Sequence, residues 1–169
     1  MIDTERLLLR PYLLGDYEPY FSMLSDPDFL VPAGQTISAE EAWHRVLRYA
    51  GHWSLLGYGT FAIIEKSTGR YVGETGLWDY HRFLGDDFDN FDEAGWSLSP
   101  KYQRRGFGFE AAQAAHQWYQ QERGHHRTVC MIDPDNEASV LLAQKLGYRS
   151  FRRAVYKDHD VLLLERVPD

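Results

Sequence analysis

The stretch SLSPKYQRRGFGFEAA, residues 97–112, passes from a strand pattern through a basic loop into a helical pattern. The first-turn N–H groups of a helix lack partners within the helix and lie at the positive end of its dipole. A phosphate can accept several of these hydrogen bonds at once. Gly106 and Gly108 allow close approach to the backbone, and Arg104 and Arg105 can add charge-assisted donors. The stretch therefore predicts a phosphate-binding site at a helix start.

The two glycines fit alternative roles less well. A bare Gly-x-Gly at a helix start usually serves tight packing, but the strand-to-helix junction and the preceding Gln-Arg-Arg favour a phosphate. A Walker-type loop is excluded because no Gly-Lys-Ser/Thr follows the glycines. A dinucleotide-binding fingerprint fits poorly, since Ala111 stands where the third glycine would be.

The rest of the chain predicts one mixed α/β or α+β domain over residues 1–169. Ser38 and Glu41 form a capping box, which predicts the start of a helix that ends near Leu56. The segment from His81 to Asp92 is either a mobile loop or a ragged hairpin end. Strands are predicted at 7–11, 60–65, 71–78, 93–99, 128–132, 149–155 and 161–166, and helices at 16–24, 39–56, 107–123 and 137–146.

Composition narrows the partners of the 169-residue chain. Its formal net charge of -7 disfavours nonspecific nucleic-acid binding and mildly favours a cationic partner, although negative charge also simply aids solubility. No apolar run approaches the length of a membrane span, and the first residues lack a signal-peptide pattern, so we expect a cytoplasmic protein without a membrane partner. The seven histidines show no helical pair, and no metal site is expected.

Three motifs together carry a family resemblance. Gln103-x-x-Gly106-x-Gly108 resembles the acetyl-CoA signature of the GNAT superfamily of N-acetyltransferases. Residues 93–100 (EAGWSLSP) before it are similar to the branch that contains the ribosomal-protein N-terminal acetyltransferases RimJ and RimL. Asn136-x-x-Ser139 followed by residues 145–148 (KLGY) resembles the ending of that branch. The likeness covers nearly the whole chain and is strongest from 93 to 148.

The resemblance implies a fold and a co-substrate. The fold is a mixed central sheet of about six to seven strands, splayed between the fourth and fifth strands and flanked by about four helices. The loop amides would hold the pyrophosphate of acetyl-CoA, and the pantetheine arm would pair with the strand before the loop. The implied cofactor-binding residues are Leu98, Gln103, Arg104, Arg105, Gly106, Phe107, Gly108, Asn136 and Ser139.

The implied reaction is direct attack of a primary amine on the thioester. The amine must lose a proton, and Glu93 aligns with an acidic position of the family, so it is the first candidate for the general base. A surface carboxylate at a strand end is the alternative, and Asp92, Asp79 and His81 are weaker candidates. Many relatives protonate the thiolate with a helix tyrosine, but that position is Ala143 here.

Ser139 is the candidate that remains for the thiolate, because its hydroxyl can donate to sulfur. A locally bonded first-turn serine is the alternative. Asn136 is ambiguous in the same way between a helix cap and a pantetheine contact, and it can serve as both.

The acceptor is the open part of the sequence interpretation. We expect an amine-bearing and cationic acceptor, either a protein or peptide N-terminus or a small-molecule amine, which the aspartates between Asp86 and Asp92 would attract. Six aromatic residues either line a cleft for it or belong to the core: Trp53, Trp78, Tyr80, Phe83, Phe88 and Phe91. A non-catalytic acyl-CoA-binding module of the same fold is the alternative function, since the tyrosine is missing. Many relatives dimerise, so a homodimer is expected.

Overall fold

The computed structural model describes residues 1–29 and 37–168, which contain eight strands and five α-helices. The strands are β1 (Ile2–Asp3), β2 (Leu7–Pro11), β3 (Thr60–Glu65), β4 (Arg70–Trp78), β5 (Glu93–Leu98), β6 (Thr128–Ile132), β7 (Arg149–Tyr156) and β8 (His159–Arg166). The helices are α1 (Tyr17–Leu24), α2 (Ala39–Leu56), α3 (Asp86–Asp89), α4 (Phe107–Arg123) and α5 (Glu137–Lys145).

The strands form one mixed sheet in the order β1-β2-β3-β4-β5-β6-β8-β7. Every neighbouring pair is antiparallel except β5 and β6, which run parallel. Parallel neighbours need a long crossover, and here α4 supplies it. The predicted mixed sheet with flanking helices is thereby confirmed.

Local sequence signals explain the ends of the elements. Ser38 Oγ accepts a hydrogen bond from Glu41 N at 3.1 Å, and Glu41 Oε2 accepts one from Ser38 N at 2.9 Å, so the predicted capping box starts α2. Gly57 ends that helix in the left-handed region at φ 76°. The turn that includes Gly69 joins β3 to β4 as an antiparallel hairpin, as the sequence predicts.

The two faces of the sheet carry different helices. On one face α1 and α2 bury a tyrosine-rich cluster that includes Tyr20, Val46 and Tyr49. On the other face α4 packs Ala111 and Ala115 against the sheet, and side chains this small let the helix approach closely. The tyrosine-rich face is therefore the more polar core, because each ring brings a hydroxyl that needs a partner.

Two elements differ from the sequence prediction. The sheet has an eighth strand, β1, which pairs with Leu8 and Leu9 of β2. The segment from 81 to 92 contains α3 instead of an irregular loop, because Phe88 packs into a core cluster with Val129 and Leu163. Burial of the Phe88 ring therefore stabilises this segment more than the charge of the surrounding aspartates destabilises it.

Candidate functional site

The parallel pair β5 and β6 opens into a cleft. Only Glu93 and Val129 stand in register between the two strands, where Val129 N donates to Asp92 O at 3.0 Å. Beyond this point the strands diverge, and residues from both line the space between them. The predicted splay between the fourth and fifth predicted strands is confirmed at this pair.

The cleft has a volume of about 570 Å³, which suits a small-molecule ligand or part of a larger one. Residues of β5 and β6 form its floor. Helix α2, the end of β4 with the residues after it, the start of α5 and the turn between β7 and β8 add further walls. The cleft therefore has a strand-lined half between β5 and β6, and a half lined by side chains from α2, β4 and the β7–β8 hairpin, which we call the acceptor half.

The open edge of β5 offers backbone groups to a ligand. Ser99 N donates to Val72 O of β4 at 2.9 Å, so the N–H and C=O groups of Leu98 point the other way, toward the cleft. Trp96 shares that orientation because the pattern alternates along the strand. An extended amide-containing ligand can therefore pair with β5 as an extra strand would.

The start of α4 presents backbone donors without acceptors. The amide N–H groups of residues 104–109 donate to no described residue, and no side chain caps the helix. The first backbone hydrogen bond of α4 runs from Glu110 N to Gly106 O at 3.1 Å. These amides lie at the positive end of the helix dipole and form an anion-binding arrangement.

Gly106 is required by backbone conformation. Its φ of 82° lies in the left-handed region, and a Cβ there would stand 3.2 Å from Nη2 of Arg6. Arg6 is held beside it, because its Nε donates to Glu110 Oε2 at 2.7 Å and its Nη1 to Arg105 O at 2.9 Å. These hydrogen bonds hold the loop against Arg6, the residue that precedes β2.

The side chains of the basic loop serve different purposes. Arg105 donates to Glu65 Oε1 at 2.9 Å and stacks on Phe107 at 4.5 Å, so its guanidinium supports the loop. Gln103 Nε2 donates to Leu98 O at 3.2 Å and ties the loop to the end of β5. Arg104 is exposed at φ 58° and makes no ion pair with a described residue. Without an ion pair to a described residue, its guanidinium can still pair with a phosphate.

Glu93 lies in the cleft as a buried carboxylate with 5% exposure. Arg82 holds both of its oxygens, with Nε–Oε2 at 2.5 Å and Nη2–Oε1 at 2.7 Å. Burial raises the pKa of Glu93, while Arg82 opposes that rise. Each carboxylate oxygen has a second lone-pair site, so the bidentate pair still leaves acceptor capacity.

Asn136 and Ser139 meet the cleft at the start of α5. Asn136 caps this helix, because its Oδ1 accepts a hydrogen bond from Ser139 N at 3.1 Å. The hydroxyl of Ser139 makes no hydrogen bond with any described residue, although it is partly buried. Ala143 is fully buried and lies in the core.

The aspartates that were expected to attract an acceptor lie outside the cleft. Asp87 pairs with Arg152 at 2.7 Å, and Asp89 accepts from Gly85 N at 2.7 Å. Asp92 accepts hydrogen bonds from Tyr58 and Tyr119. Neither these three nor Asp86 line the cleft, so the expectation of a cationic acceptor draws no support from them.

Side chains from distant segments line the acceptor half. Sequence reasoning missed Glu74 and Arg48 among them, whereas it left Tyr80 open between cleft and core. Glu74 is buried beneath the cleft, where Tyr12 donates to Oε2 at 2.7 Å and Tyr49 to Oε1 at 3.3 Å. Tyr80 lies between Arg48 and Arg82, with cation-to-ring distances of 4.7 and 4.9 Å. The local sequence signal for Glu74 was its place as the one charged residue in the strand pattern of residues 71–78.

Metal ligation and membrane crossing are both without support over residues 1–29 and 37–168. Within them, no group of three or more His, Cys, Asp or Glu side chains is arranged to hold a metal ion. Likewise, none of the helices described there combines the length and apolar character that crossing a membrane requires.

Known proteins resemble this chain in both sequence and structure. Residues 6–149 match the sequence profile of the acetyltransferase (GNAT) domain. A Bordetella pertussis structure described as a GnaT-family acetyltransferase shares 30% identity and a TM-score of 0.89, with 98% of each chain covered. The Bacillus subtilis protein named uncharacterized N-acetyltransferase YnaD is 26% identical over 164 residues, which are 94% of this chain and 90% of that protein.

A third relative is known with a ligand. RimL, an alpha-N-protein acetyltransferase, has been solved in complex with coenzyme A, and its chain matches with a TM-score of 0.75 at 17% identity, covering 98% of this chain and 96% of that one. This likeness shows a shared fold. Together with the profile match, which spans most of the sequence, it confirms the predicted resemblance: the chain belongs to the GNAT family of acetyltransferases.

Proposed function

We propose that this chain transfers an acetyl group from acetyl-CoA to a primary amine by direct attack in a ternary complex. The observation that carries the proposal is the set of amides at residues 104–109, which have no described acceptor and lie at the start of α4 beside the open edge of β5. Acetyl-CoA combines a diphosphate with an amide-rich arm, and these two features match the two sets of donors.

The cofactor-holding residues follow from this match. The amides of Arg104, Arg105, Gly106, Phe107 and Gly108 would hold the pyrophosphate, and Gln103 would keep the loop against β5. Backbone groups at Leu98 would pair with the pantetheine arm, and Asn136 and Ser139 would border it from α5. When bound, acetyl-CoA supplies an acetyl group activated as a thioester, and the protein supplies position and electrostatics.

Glu93 is the proposed general base. An amine is mostly protonated at neutral pH and must lose a proton before it can attack. A buried carboxylate with a raised pKa is a better proton acceptor than an exposed one, and Arg82 would keep its oxygens oriented in the cleft.

Ser139 is the proposed donor to the departing sulfur. Its hydroxyl has no described partner and faces the cleft at the start of α5. The protonated amine first gives one proton to Glu93, which releases it to solvent. The neutral nitrogen then bonds to the acetyl carbon and gives its second proton to Glu93. The carbon–sulfur bond then breaks, and the sulfur takes a proton from Ser139, which regains one from solvent.

An amine-panel assay tests the proposed function. Purified protein and acetyl-CoA are mixed with peptides, amino acids, polyamines and aminoglycosides, and the release of free CoA thiol is followed. We expect at least one amine to raise CoA release above the rate without acceptor, and its N-acetylated form, the matched control, to leave that rate unchanged. Binding of acetyl-CoA with the same basal release for every amine would instead identify a non-catalytic module.

A further inference from the structure

One face of α2 carries positive charge into the acceptor half of the cleft. Arg45, Arg48 and His52 are spaced three and four residues apart, so they share one helix face, and all three line the cleft. Burial lowers the pKa of His52, and the nearby Arg48 lowers it further. At neutral pH the fixed charges on this face are therefore the two guanidinium groups.

Arg48 is held in place by aromatic rings. Its guanidinium lies 4.7 Å from the ring centre of Tyr80 and 5.7 Å from that of Tyr49. Trp78 stacks on Tyr80 with the ring centres 5.0 Å apart, which holds the Tyr80 ring in place. A guanidinium that rests on an aromatic face keeps its N–H edge free for in-plane hydrogen bonds.

The two buried carboxylates of the acceptor half already have partners, and a third, Asp79, is partly exposed beside a histidine. Glu93 pairs with Arg82, and Glu74 accepts from Tyr12 and Tyr49. Asp79 stands 3.3 Å from His81. Burial raises the pKa of Glu74, and the hydrogen bond from Tyr12 and the charges of Arg45 and Arg48 oppose that rise.

Arg48 makes no ion pair of its own with a described residue, although its charge also lowers the pKa of Glu74, by less than the charge of Arg45 does. None of the ion pairs among the described residues includes Arg48, and residues 30–36 (LVPAGQT) contain no Asp or Glu. The cleft lining holds as many Asp and Glu as Arg and Lys side chains, but Arg48 has no ion pair among the described residues, and its planar guanidinium matches carboxylates in bidentate geometry.

We infer that the acceptor is an amine that also carries a carboxylate, and that Arg48 binds this carboxylate. The inference rests on the proposed function and narrows its substrate class. The amine end would lie toward Glu93, and the acid end would lie against the guanidinium that rests on Tyr80. This differs from the expectation of a purely cationic acceptor, because the molecule would enter as a zwitterion.

Binding without turnover tests the inference independently of catalysis. The protein is saturated with CoA, which cannot transfer acetyl, and glycine, β-alanine and 4-aminobutyrate are each compared with their amides by calorimetry. We expect at least one acid to bind about tenfold more tightly than its amide. Arg48→Gln should remove this difference, while Arg153→Gln, an exposed arginine outside the cleft, should keep it. Equal binding of every acid and its amide, or a preference that survives Arg48→Gln, would overturn the inference.

The same pairs with acetyl-CoA separate the two proposals. We expect kcat/KM for the best acid to exceed that for its amide by about tenfold, and Arg48→Gln to lower only the value for the acid. Faster acetylation of the amides would overturn the carboxylate assignment and leave the acetyltransferase proposal standing. Acid-selective binding with CoA but no acetylation of any amine would do the reverse.

Discussion

The two halves of the cleft present different chemical groups, backbone in one and side chains in the other. The strand-lined half uses the open backbone edge of β5, and the amides of residues 104–109 lie after it along the chain, at the start of α4 and outside the cleft lining. The acceptor half uses side chains from α2, β4 and the β7–β8 hairpin, including Arg48, Tyr80 and Glu74. Every residue type offers the same backbone, so the first half depends on chain conformation. The second half depends on the identity of each side chain.

This difference explains how one fold can keep its co-substrate while its acceptor changes. Substitutions in the acceptor half alter charge and shape without touching the loop that ends in Gly106. Changes at the loop alter the backbone conformation that presents the amide donors, and no other contact supplies these donors. Mutations in the two halves should therefore change different quantities, co-substrate affinity in one and acceptor turnover in the other.

The largest effect is expected at the loop. Gly106→Asp should weaken acetyl-CoA binding by about 1000-fold, because a carboxylate would repel the diphosphate and weaken charge-assisted bonds. Gly106→Asn is the matched control, since Asn and Asp both tolerate the left-handed φ of 82° and differ in charge. Calorimetry measures both Kd values. Equal Kd values for the two variants would contradict a diphosphate at this loop.

A catalytic effect is expected at Glu93. Glu93→Gln should lower kcat by about 100-fold while Kd for acetyl-CoA stays within about threefold, because the amide cannot accept the proton. The control is Glu122→Gln, which changes an exposed carboxylate on α4 away from the cleft. Steady-state kinetics and calorimetry separate the two quantities. Wild-type kcat in Glu93→Gln would remove the assigned base.

A stability effect is expected at the closed end of the splay. His116 Nδ1 donates to Ala112 O at 2.6 Å, so Nε2 accepts from Tyr148, whose oxygen lies 2.7 Å from Thr128 Oγ1. Burial lowers the pKa of His116 to about 4. The folded state therefore resists protonation that the unfolded state accepts near pH 6.5, and stability is lost as pH falls between these values.

Urea unfolding at pH 7.5 and pH 4.5 measures this contribution. His116→Gln should reduce the difference between the two free energies of unfolding by about 2 to 3 kcal/mol, since one histidine no longer titrates. His125→Gln, at an exposed position, should leave the difference unchanged. The same difference in all three proteins would mean that folding does not shift the pKa of His116.

The smallest effect is expected at Ser139. Ser139→Ala should lower kcat by about tenfold and change Kd for acetyl-CoA by less than about twofold, because the hydroxyl acts on the leaving sulfur. Ser150→Ala, an exposed serine on β7, is the control. A fall in acetyl-CoA affinity with unchanged kcat would make Ser139 a cofactor contact.

The sequence predicted most of the strand-lined half because its signals are local. Glycine spacing, loop charge and the Asn136 cap each act within a few residues, and all are found where the pattern predicted them. The acceptor half was not predictable in this way. Arg48 and Tyr80 are far apart along the chain, and their contact depends on how α2 crosses the sheet. Phe88 was ambiguous between cleft and core, and burial beside Val129 decides for the core.

The role of the loop can be tested most directly by comparing acetyl-CoA with S-acetylpantetheine, which keeps the thioester and the amide arm but lacks the diphosphate. Calorimetry should give a Kd for acetyl-CoA at least about 100-fold lower than for S-acetylpantetheine, and Gly106→Asp should reduce that ratio to near one. Equal affinity of the wild-type protein for the two compounds would contradict diphosphate binding by the backbone at the start of α4.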